Sequence, residues 1–316
     1  AVAAGCTIVC RPSEESPGAT LAIAQCCMEA GLPAGVVNVV TGMPQLITDC
    51  VMADERVRKI SFTGSIPVGK HLLRQSAETV KRITMELGGH APVIVHADAD
   101  VQMAAQSCMQ AKFRNAGQVC ASPTRFYVHK SILDEFLQTA RDTVNSMLLG
   151  NGLDPKVEMG PLINPRRLKA VSDLVDKSVE EGAELICGGK RPEAIEVGYF
   201  YEPTIIAHAK DDASLMLEEP FGPVAVVTAF SDFDEVIERA NALEFGLCAY
   251  TFTQSLELAN KTSSALEAGV IGVNTMIASS AETPFGGTKQ SGWGREGGFL
   301  GIKEYLNAKY VHLSLV

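Results

Sequence analysis

The chain has 316 residues, 46% of them apolar, and a formal net charge of −10 at pH 7, which together indicate a compact globular protein of about two domains. The charges are dispersed without a basic cluster, which argues against nucleic acid as a partner. No apolar run reaches the roughly 18 residues that a membrane helix needs, and no basic-then-apolar signal peptide is present.

The first part of the chain alternates apolar strand-like runs with helical segments. Strands are predicted at 6–10, 35–40, 58–62 and in "RITMEL", and helices after Ser16 and at 44–53. The first helix has Ser16 as its N-cap, Pro17 at its first position and Gly31 just past its end. Such alternation indicates βαβ units and a parallel, doubly wound α/β sheet.

A second α/β unit follows, and the boundary is predicted near Gly88–Gly89. Its strands are predicted at 91–96, 125–129, 184–187, 224–230, 248–253 and 269–274, and its helices at 98–113, 131–148, 165–181, 232–243 and 255–268. The tail "KYVHLSLV" (309–316) alternates like a lone strand, which needs another strand to pair with. We therefore predict domains at 1–88 and 89–290, and a return segment with an oligomerisation strand at 291–316.

The start of the sequence enters an apolar strand at once, without a preceding methionine. A domain seldom begins inside its own core, because a frayed terminus leaves buried backbone groups unpaired. We therefore expect further residues upstream of Ala1.

Nine cysteines are present, and no CxxC pair occurs among them. An odd number at irregular spacing indicates reduced thiols in a reducing compartment, the cytoplasm or the mitochondrial matrix. The six histidines are scattered, so no metal site is expected.

Gly64 and Ser65 stand between a predicted strand and a predicted helix in "SFTGSIPVGK". Such a turn aims backbone amides and the positive helix end at an anion such as phosphate, although an ordinary βα turn has the same pattern. The sequence "GWGREG" (292–297) also satisfies G-x-G-x-x-G, but no apolar strand precedes it. We interpret it as a tight surface loop and not as a dinucleotide fingerprint.

Two further segments contain candidate catalytic side chains. Glu86 ends an apolar strand before two glycines in "MELGGH", where burial would raise its pKa toward the range of a general base; a structural strand-end carboxylate is the alternative. Cys120 lies in the turn of "FRNAGQVCAS", outside any apolar run, whereas most buried cysteines are inert core residues. The turn makes Cys120 a candidate nucleophile.

The segment "LEEPFGPV" (217–224) places Glu218, Glu219 and Phe221 between two prolines. Carboxylates at such a corner can bind a ribose diol and the ring can pack on a base, or the segment is an acidic surface turn. The glycine-rich "ETPFGGTKQSG" (282–292) either lines a pocket or crosses the surface.

Five of these landmarks occur in the order typical of one family. "FTGS", "MELGG", "NAGQVC", "EEPFGPV" and "PFGGTKQSGWGREGG" together make the chain resemble the NAD(P)-dependent aldehyde dehydrogenase superfamily over its whole length. "KFRNAGQVC" and "GIKEYLNAKY" are most similar to the succinate-semialdehyde dehydrogenases within it. The resemblance implies an aldehyde dehydrogenase-like fold with an incomplete Rossmann-type cofactor domain, an α/β catalytic domain and a homodimer or homotetramer.

The resemblance also implies catalytic roles for three residues. Cys120 is the nucleophile that forms a thiohemiacetal and then a thioester, Glu86 activates the water that releases the acid, and Glu296 matches a buried carboxylate that relays protons. Ser122 stands where some members have a second cysteine, so no thiol switch is expected.

Cofactor and substrate positions follow in the same way. The cofactor-binding residues implied are Arg11, Glu14, Gly64, Ser65, Leu87, Glu219 and Phe221. Glu14 falls where a carboxylate binds the adenosine ribose, so NAD is favoured over NADP. Arg114 and Ser279 match positions that hold the distal carboxylate of succinate semialdehyde, although Arg114 can equally end its helix.

Three alternatives remain open from the sequence. The chain can act on another ω-carboxy aldehyde such as 2-oxoglutarate semialdehyde, or it can be a non-catalytic fragment that retains the fold. A Cys-His hydrolase is the third, although no suitably placed histidine motif is present.

Overall fold

The structure is a computed structural model, and it describes residues 1–315. The chain divides into two compact units. The first comprises Ala1–Glu86, Ser279–Phe285 and the segment from Trp293 onward, and the second comprises Leu87–Ala278 and Gly286–Gly292. No helix among the described residues is long and apolar enough to cross a bilayer.

The first unit contains short parallel strands and the helices that connect them. Its elements are β1 (Ile8–Cys10), α1 (Gly18–Glu29), β2 (Val37–Val39), α2 (Pro44–Ala53), β3 (Lys59–Thr63), α3 (Ile66–Ala77), β4 (Arg82–Glu86) and α10 (Gly298–Lys303). Strands β1 and β2 pair in parallel, and so do β3 and β4, whose register sets Thr63 opposite Glu86.

Helix α1 differs from the prediction at its first turn. Its N-cap is Pro17 and not Ser16, because the carbonyl of Pro17 accepts the first helical hydrogen bond, from Leu21 N–H. Gly31 lies beyond the end with a φ of +80°, as the sequence predicted. No side chain of α1 is buried, and Ile23 and Met28 are 64% and 66% exposed.

The second unit is built around a seven-stranded sheet. Its elements are β5 (Ala91–Val95), α4 (Val101–Phe113), β6 (Pro123–His129), α5 (Leu133–Asn145), α6 (Pro165–Glu180), β7 (Glu184–Cys187), β8 (Thr204–Ala207), α7 (Ser214–Leu217), β9 (Val224–Phe230), α8 (Phe233–Asn241), β10 (Cys248–Phe252), α9 (Leu256–Ala265) and β11 (Val270–Val273). The strand order is β11-β10-β5-β6-β9-β8-β7. All pairings are parallel except β7 with β8.

The core of the second unit lies on both faces of its central strands. Every residue of β5, β8 and β10 is buried, as is typical of parallel strands covered on both faces. The sequence did not predict β8 or α7, because each has only four residues and too little periodicity to recognise. The predicted α/β class is confirmed by this mostly parallel sheet.

One expectation about the last part of the chain needs correction, and the terminal strand stays a prediction because it requires a second chain. The first two residues of "GWGREG" form a short strand, β12 (Gly292–Trp293), before the predicted turn. Residues 309–315 form no strand, and Tyr310 and Leu313 are 86% and 79% exposed; Val316 lies outside the described residues. The reason is that an extended segment gains backbone hydrogen bonds only when a neighbouring strand is beside it.

Candidate active site

The turn between β3 and α3 has the features of an anion site. The side chain of Ser65, the N-cap residue, makes no capping hydrogen bond to the helix. Gly64 donates its N–H to the Glu86 carbonyl (3.0 Å), and a Cβ at Gly64 would lie 2.4 Å from the Phe62 ring. A side chain at this position would have to displace the Phe62 ring, and the N-terminal amides of a 12-residue helix follow directly.

Glu86 ends β4 as a buried carboxylate. It is 4% exposed, and neither of its oxygens has a hydrogen-bond partner among the described residues. Burial, together with the negative charge of Glu296, raises the pKa of Glu86 to about 8, although Arg295 opposes the shift. The first unit therefore brings the two predicted carboxylates within electrostatic reach, and Glu86 has the basicity expected of a general base near neutral pH.

Glu296 is exposed, which corrects the expectation of a buried carboxylate at this position, and its backbone is held in place by hydrogen bonds. Its N–H donates to the Phe285 carbonyl and its carbonyl accepts from the Phe285 N–H, each at 2.7 Å. This reciprocal bridge fixes the segment that carries the Glu296 carboxylate. In the same unit Arg11 and Glu14 form an ion pair just after β1.

The turn before Cys120 has an unusual backbone. Asn115, Ala116 and Gly117 have φ values of +54°, +52° and +69°, a left-handed conformation that costs about 1–3 kcal/mol for each non-glycine residue. A Cβ at Gly117 would lie 2.1 Å from the Gly222 carbonyl oxygen. Such strain persists only where the surrounding structure fixes it, and it is concentrated at functional sites.

Contacts from distant strands fix the Cys120 backbone. The Tyr250 hydroxyl donates to the Ala121 carbonyl (2.7 Å), and a Cβ at Gly89 would lie 2.6 Å from the Cys120 carbonyl oxygen. Cys120 is partly accessible, whereas Cys108 is buried and desolvation raises the pKa of that thiol. Access therefore distinguishes Cys120 from an inert core thiol.

His90 comes directly after Gly89 but has the wrong properties for a partner base. Its ring is 1% exposed, with Nε2 3.2 Å from the Leu215 carbonyl oxygen. Burial, and then the charges of Arg125 and Lys112, hold the pKa of His90 well below 6.5. An imidazole so weakly basic is a poor proton acceptor, which disfavours a hydrolase dyad based on this residue.

Glu219 lies against the two glycines that follow β4. Gly89 N–H donates to its Oε1 (3.2 Å), and a Cβ at Gly88 would lie 2.4 Å from its Oε2. Desolvation raises the pKa of Glu219, and Gly89, Lys112 and Arg167 oppose that rise. The side chain of Leu87 is buried, and its N–H donates to the Ser291 carbonyl (2.9 Å), so only backbone atoms of Leu87 remain for contact with a ligand.

Phe221 and Arg114 complete the predicted positions in the second unit. Phe221 has a φ of +41°, and the Arg167 guanidinium lies 5.6 Å from the centre of its ring. Arg114 caps the C-terminus of α4 and is exposed. Ser279, its proposed partner, belongs to the first unit and is also exposed.

These side chains fit a nicotinamide dinucleotide, which has a pyrophosphate and two ribose diols. The start of α3 suits the pyrophosphate, and Glu14 offers a carboxylate to a diol. In the second unit a Cβ added at Gly88 would clash with the Glu219 carboxylate. Because glycine has no Cβ, the carboxylate stays accessible at that point.

The sequence analysis missed two cations of the second unit, Lys112 and Arg167. Lys112 is 0% exposed and its Nζ lies 3.3 Å from Ser122 Oγ. The available signal was its spacing, because Ala104, Cys108 and Lys112 recur every four residues along the buried stripe of α4. Arg167 had no such signal, since it contacts Pro220 and Phe221 only through the tertiary fold.

The first unit contains a third missed cation. Lys59 donates to Thr84 Oγ1, lies 3.8 Å from Glu304 and faces the Tyr305 ring at 5.0 Å. Burial lowers its pKa. Lys59 therefore ties β3 and β4 to the segment that follows α10.

A parallel α/β fold with a partly accessible cysteine on a strained turn fits covalent catalysis by a thiol. Comparison gives the family: residues 1–311 match the aldehyde dehydrogenase family, and the chain belongs to it. Succinate-semialdehyde dehydrogenase [NADP(+)] GabD of Escherichia coli is 42% identical over 315 residues, which are 100% of this chain and 65% of the relative. The 3-sulfolactaldehyde dehydrogenase of Pseudomonas putida is 44% identical over 99% of this chain and 64% of its own length.

The solved structures give the same family. An Escherichia coli NADP-dependent enzyme superposes with a TM-score of 0.97 at 41% identity, over 99% of this chain and 65% of its own. The chain thus spans about two thirds of the length of these relatives. The predicted fold and the predicted family are both confirmed.

Proposed function

We propose that this chain carries the nucleophile and the general base of an NAD(P)-dependent oxidation of an aldehyde to a carboxylic acid. The observation that carries the proposal is Cys120, accessible at the end of a turn with three successive left-handed residues. Family membership supplies the reaction class, and the buried Glu86 has a pKa suited to activating water.

Different residues of the chain have different proposed roles in the reaction. The Cys120 thiolate attacks the aldehyde carbon to form a thiohemiacetal, and the turn holds its sulfur in a fixed direction. When bound, a nicotinamide cofactor would accept the hydride whose loss converts the thiohemiacetal to the thioester; the first unit's candidates for holding it are Ser65 and Glu14, and the second unit's candidate is Glu219. We propose that Glu86 then removes a proton from the water that hydrolyses the thioester and that Glu296 passes that proton on.

Succinate semialdehyde is the substrate that the residues favour. Arg114 offers an exposed guanidinium six residues before Cys120, and Ser279 offers a hydroxyl. A guanidinium near the reacting turn selects an aldehyde with a remote anion. The name of the Escherichia coli relative supports this choice, and another ω-carboxy aldehyde, such as 2-oxoglutarate semialdehyde, is the second candidate.

We propose NAD as the preferred cofactor, a homodimer or homotetramer as the assembly, and the cytoplasm or mitochondrial matrix as the compartment. Glu14 disfavours a 2′-phosphate through like charge. The exposed segment 309–315 offers unpaired backbone to a second copy of the chain. None of the nine cysteines forms a disulfide within the described residues, which is consistent with a reducing compartment.

The decisive experiment measures reduction of NAD and of NADP by the native protein with succinate semialdehyde. Nucleotide reduction should occur and fall to background in Cys120→Ala. The matched control is Cys26→Ala, which removes an exposed cysteine from α1. No reduction of either nucleotide, together with undetectable NAD binding by calorimetry, would instead support a non-catalytic protein that retains the fold.

Substrate preference needs a separate comparison. The ratio of kcat/KM for succinate semialdehyde to that for an uncarboxylated aldehyde of equal length should fall at least tenfold in Arg114→Ala, which corresponds to about 1.4 kcal/mol. An unchanged ratio would eliminate Arg114 as the anion-binding residue. The same assay with 2-oxoglutarate semialdehyde separates the two candidate substrates.

A further inference from the structure

Lys112 is a completely buried cation beside the nucleophile turn. Its Nζ lies 3.3 Å from Ser122 Oγ and 3.5 Å from Thr124 Oγ1, on the segment that follows Cys120. Within the described residues no carboxylate lies at ion-pair distance from it. Two long hydrogen bonds to neutral hydroxyls are weak compensation for a buried ammonium group, so its retention requires another favourable interaction.

Glu219 is connected to Lys112 by a short series of contacts in the second unit. Gly89 donates its N–H to Glu219 Oε1, a Cβ at Gly89 would lie 2.6 Å from the Cys120 carbonyl oxygen, and Ser122, two residues further on, accepts from Lys112 Nζ. We infer that the charge compensating Lys112 is that of Glu219.

The two groups act on each other electrostatically: Glu219 favours the charged form of Lys112, and Lys112 favours the carboxylate of Glu219. Burial opposes both charges, lowering the pKa of Lys112 and raising that of Glu219. The other charged or titratable groups that face the pair are His90, which burial keeps neutral, and Arg167, which acts on Glu219.

The ionisation state of Glu219 matters for what it can bind. Its Oε1 accepts one backbone N–H from Gly89, and its Oε2 lies against Gly88. A carboxylate accepts hydrogen bonds at both oxygens and can take two hydroxyls of a diol, whereas a neutral carboxyl group must donate one hydrogen. Loss of the nearby cation would shift Glu219 toward that neutral form.

We propose that Lys112 is a positioning residue for the cofactor site, which anchors the segment after Cys120 through Ser122 and Thr124 and keeps Glu219 ionised to accept ribose hydroxyls. The role of Glu219 in this statement rests on the proposed function. The link between Lys112 and Glu219 is a property of the protein by itself and is measured without cofactor or substrate.

The test is a pH titration of the Glu219 carboxyl group by NMR, with 13C-labelled glutamate and Glu219→Gln to assign the signal. Lys112→Gln keeps a hydrogen-bond donor but removes the charge, Lys112→Met removes both, and Lys112→Arg keeps both. The Glu219 midpoint should rise by roughly one pH unit in the Gln and Met variants and stay near the wild-type value in the Arg variant.

The matched control is Lys81→Gln. Lys81 is another buried lysine, but its Nζ donates to the carbonyls of Asp54 and Val57, each at 2.7 Å, in the first unit. It should leave the Glu219 midpoint unchanged. Equal midpoints in wild type and Lys112→Gln would overturn the proposal, since no charge coupling would then exist.

A reciprocal measurement covers the case in which the Lys112 variants fold poorly. Coupling between two sites is symmetric, so neutralising Glu219 must lower the midpoint of Lys112 by the same amount. In protein with 13C-labelled lysine, Glu219→Gln should therefore lower that midpoint by roughly one pH unit. An unchanged lysine midpoint would also overturn the proposal.

Cofactor binding separates this proposal from the proposed function. At pH 7 the Kd for NAD should rise about tenfold in Lys112→Gln and little in Lys112→Arg. Normal NAD affinity in Glu219→Gln would remove Glu219 from the cofactor site and overturn the positioning role, although the NMR shift would still report the charge coupling. No NAD binding by the wild-type protein would count against the proposed function itself.

Discussion

The position of Glu86 in the fold raises the pKa of its carboxyl group. The parallel register places it at the end of β4 beside Thr63, and desolvation then makes its ionised form costly. The nearby charge of Glu296 acts in the same direction. A carboxylate with an unshifted pKa would be a weak base at neutral pH. Burial therefore makes Glu86 basic enough for the proposed role of general base.

This shift predicts the pH dependence of thioester hydrolysis. Only the carboxylate can take a proton from water, so the rate should rise with pH and level off above the Glu86 pKa of about 8. Glu86→Gln should lower the rate at least about 100-fold and abolish that rise. The measurement is single-turnover release of acid from the acylated protein between pH 6 and 10. The exposed Glu78→Gln is the control, and a rise that persists in Glu86→Gln would assign the base elsewhere.

The Arg11–Glu14 ion pair predicts a change of cofactor preference. Glu14 both repels a 2′-phosphate and neutralises Arg11. Glu14→Gln should therefore raise the kcat/KM ratio of NADP to NAD about tenfold, because the guanidinium becomes available to a phosphate. Steady-state kinetics with both nucleotides give the ratio, and Glu15→Gln serves as the neighbouring control. A ratio that does not change would show that this pair does not set the preference.

At the scale of elements, the end of α4 and the turn after it fix the position of Cys120, the candidate nucleophile. The helix is closed by three left-handed residues, and only Gly117 among them is free of a Cβ penalty. Its close approach to the Gly222 carbonyl brings the Cys120 turn against the segment that carries Glu219 and Phe221. The candidate nucleophile and the candidate ribose ligand are therefore positioned by the same contact.

Gly117→Ala should displace both Cys120 and the segment that carries Glu219. The added Cβ would meet backbone at 2.1 Å in a left-handed residue, so we expect unfolding free energy to fall by at least about 2 kcal/mol and alkylation of Cys120 to change rate. Denaturant titration and mass-spectrometric alkylation kinetics measure the two effects. Gly152→Ala, with nothing within 4 Å of the new Cβ, should change stability by less than about 0.5 kcal/mol. Equal stability of the two variants would contradict the steric explanation.

At the scale of the whole molecule, the last described residues lack a structural partner within the chain. Residues 309–315 alternate apolar and polar side chains, form no strand and are exposed throughout. Such a segment can add to a sheet edge of a second copy, where each N–H and C=O finds a partner. This arrangement is the proposed basis of the homo-oligomer.

Val311→Pro tests that proposal. Proline removes one N–H and fixes φ, so it should weaken an added strand and shift the protein to a smaller oligomer, measured by size-exclusion chromatography with light scattering. The control is Val197→Pro, which places proline at an exposed site in the second unit. An unchanged mass for Val311→Pro would exclude the segment from the subunit contact.

Most elements of the fold could be predicted from sequence because their signals are local. Helix α2 and strands β7 and β9 were predicted with their observed bounds, and the other predicted elements mostly differ by one to three residues at an end. The short β8 and α7 were missed because four residues show no period. Ser16 was misassigned as the N-cap because the choice between neighbouring caps depends on which carbonyl the helix reaches.

The sequence by itself determined the α/β class, the family landmarks and the candidates Cys120, Glu86 and Glu219, because periodicity, turn residues and motif order are all written locally along the chain. Only the tertiary structure decided the contacts around each of these residues. Tyr250 reaches the Ala121 carbonyl across 129 residues of sequence, and Gly89 donates to Glu219 across 130. The physical reason is that desolvation and charge coupling depend on which groups the folded sheet brings together, and no local pattern encodes that distance.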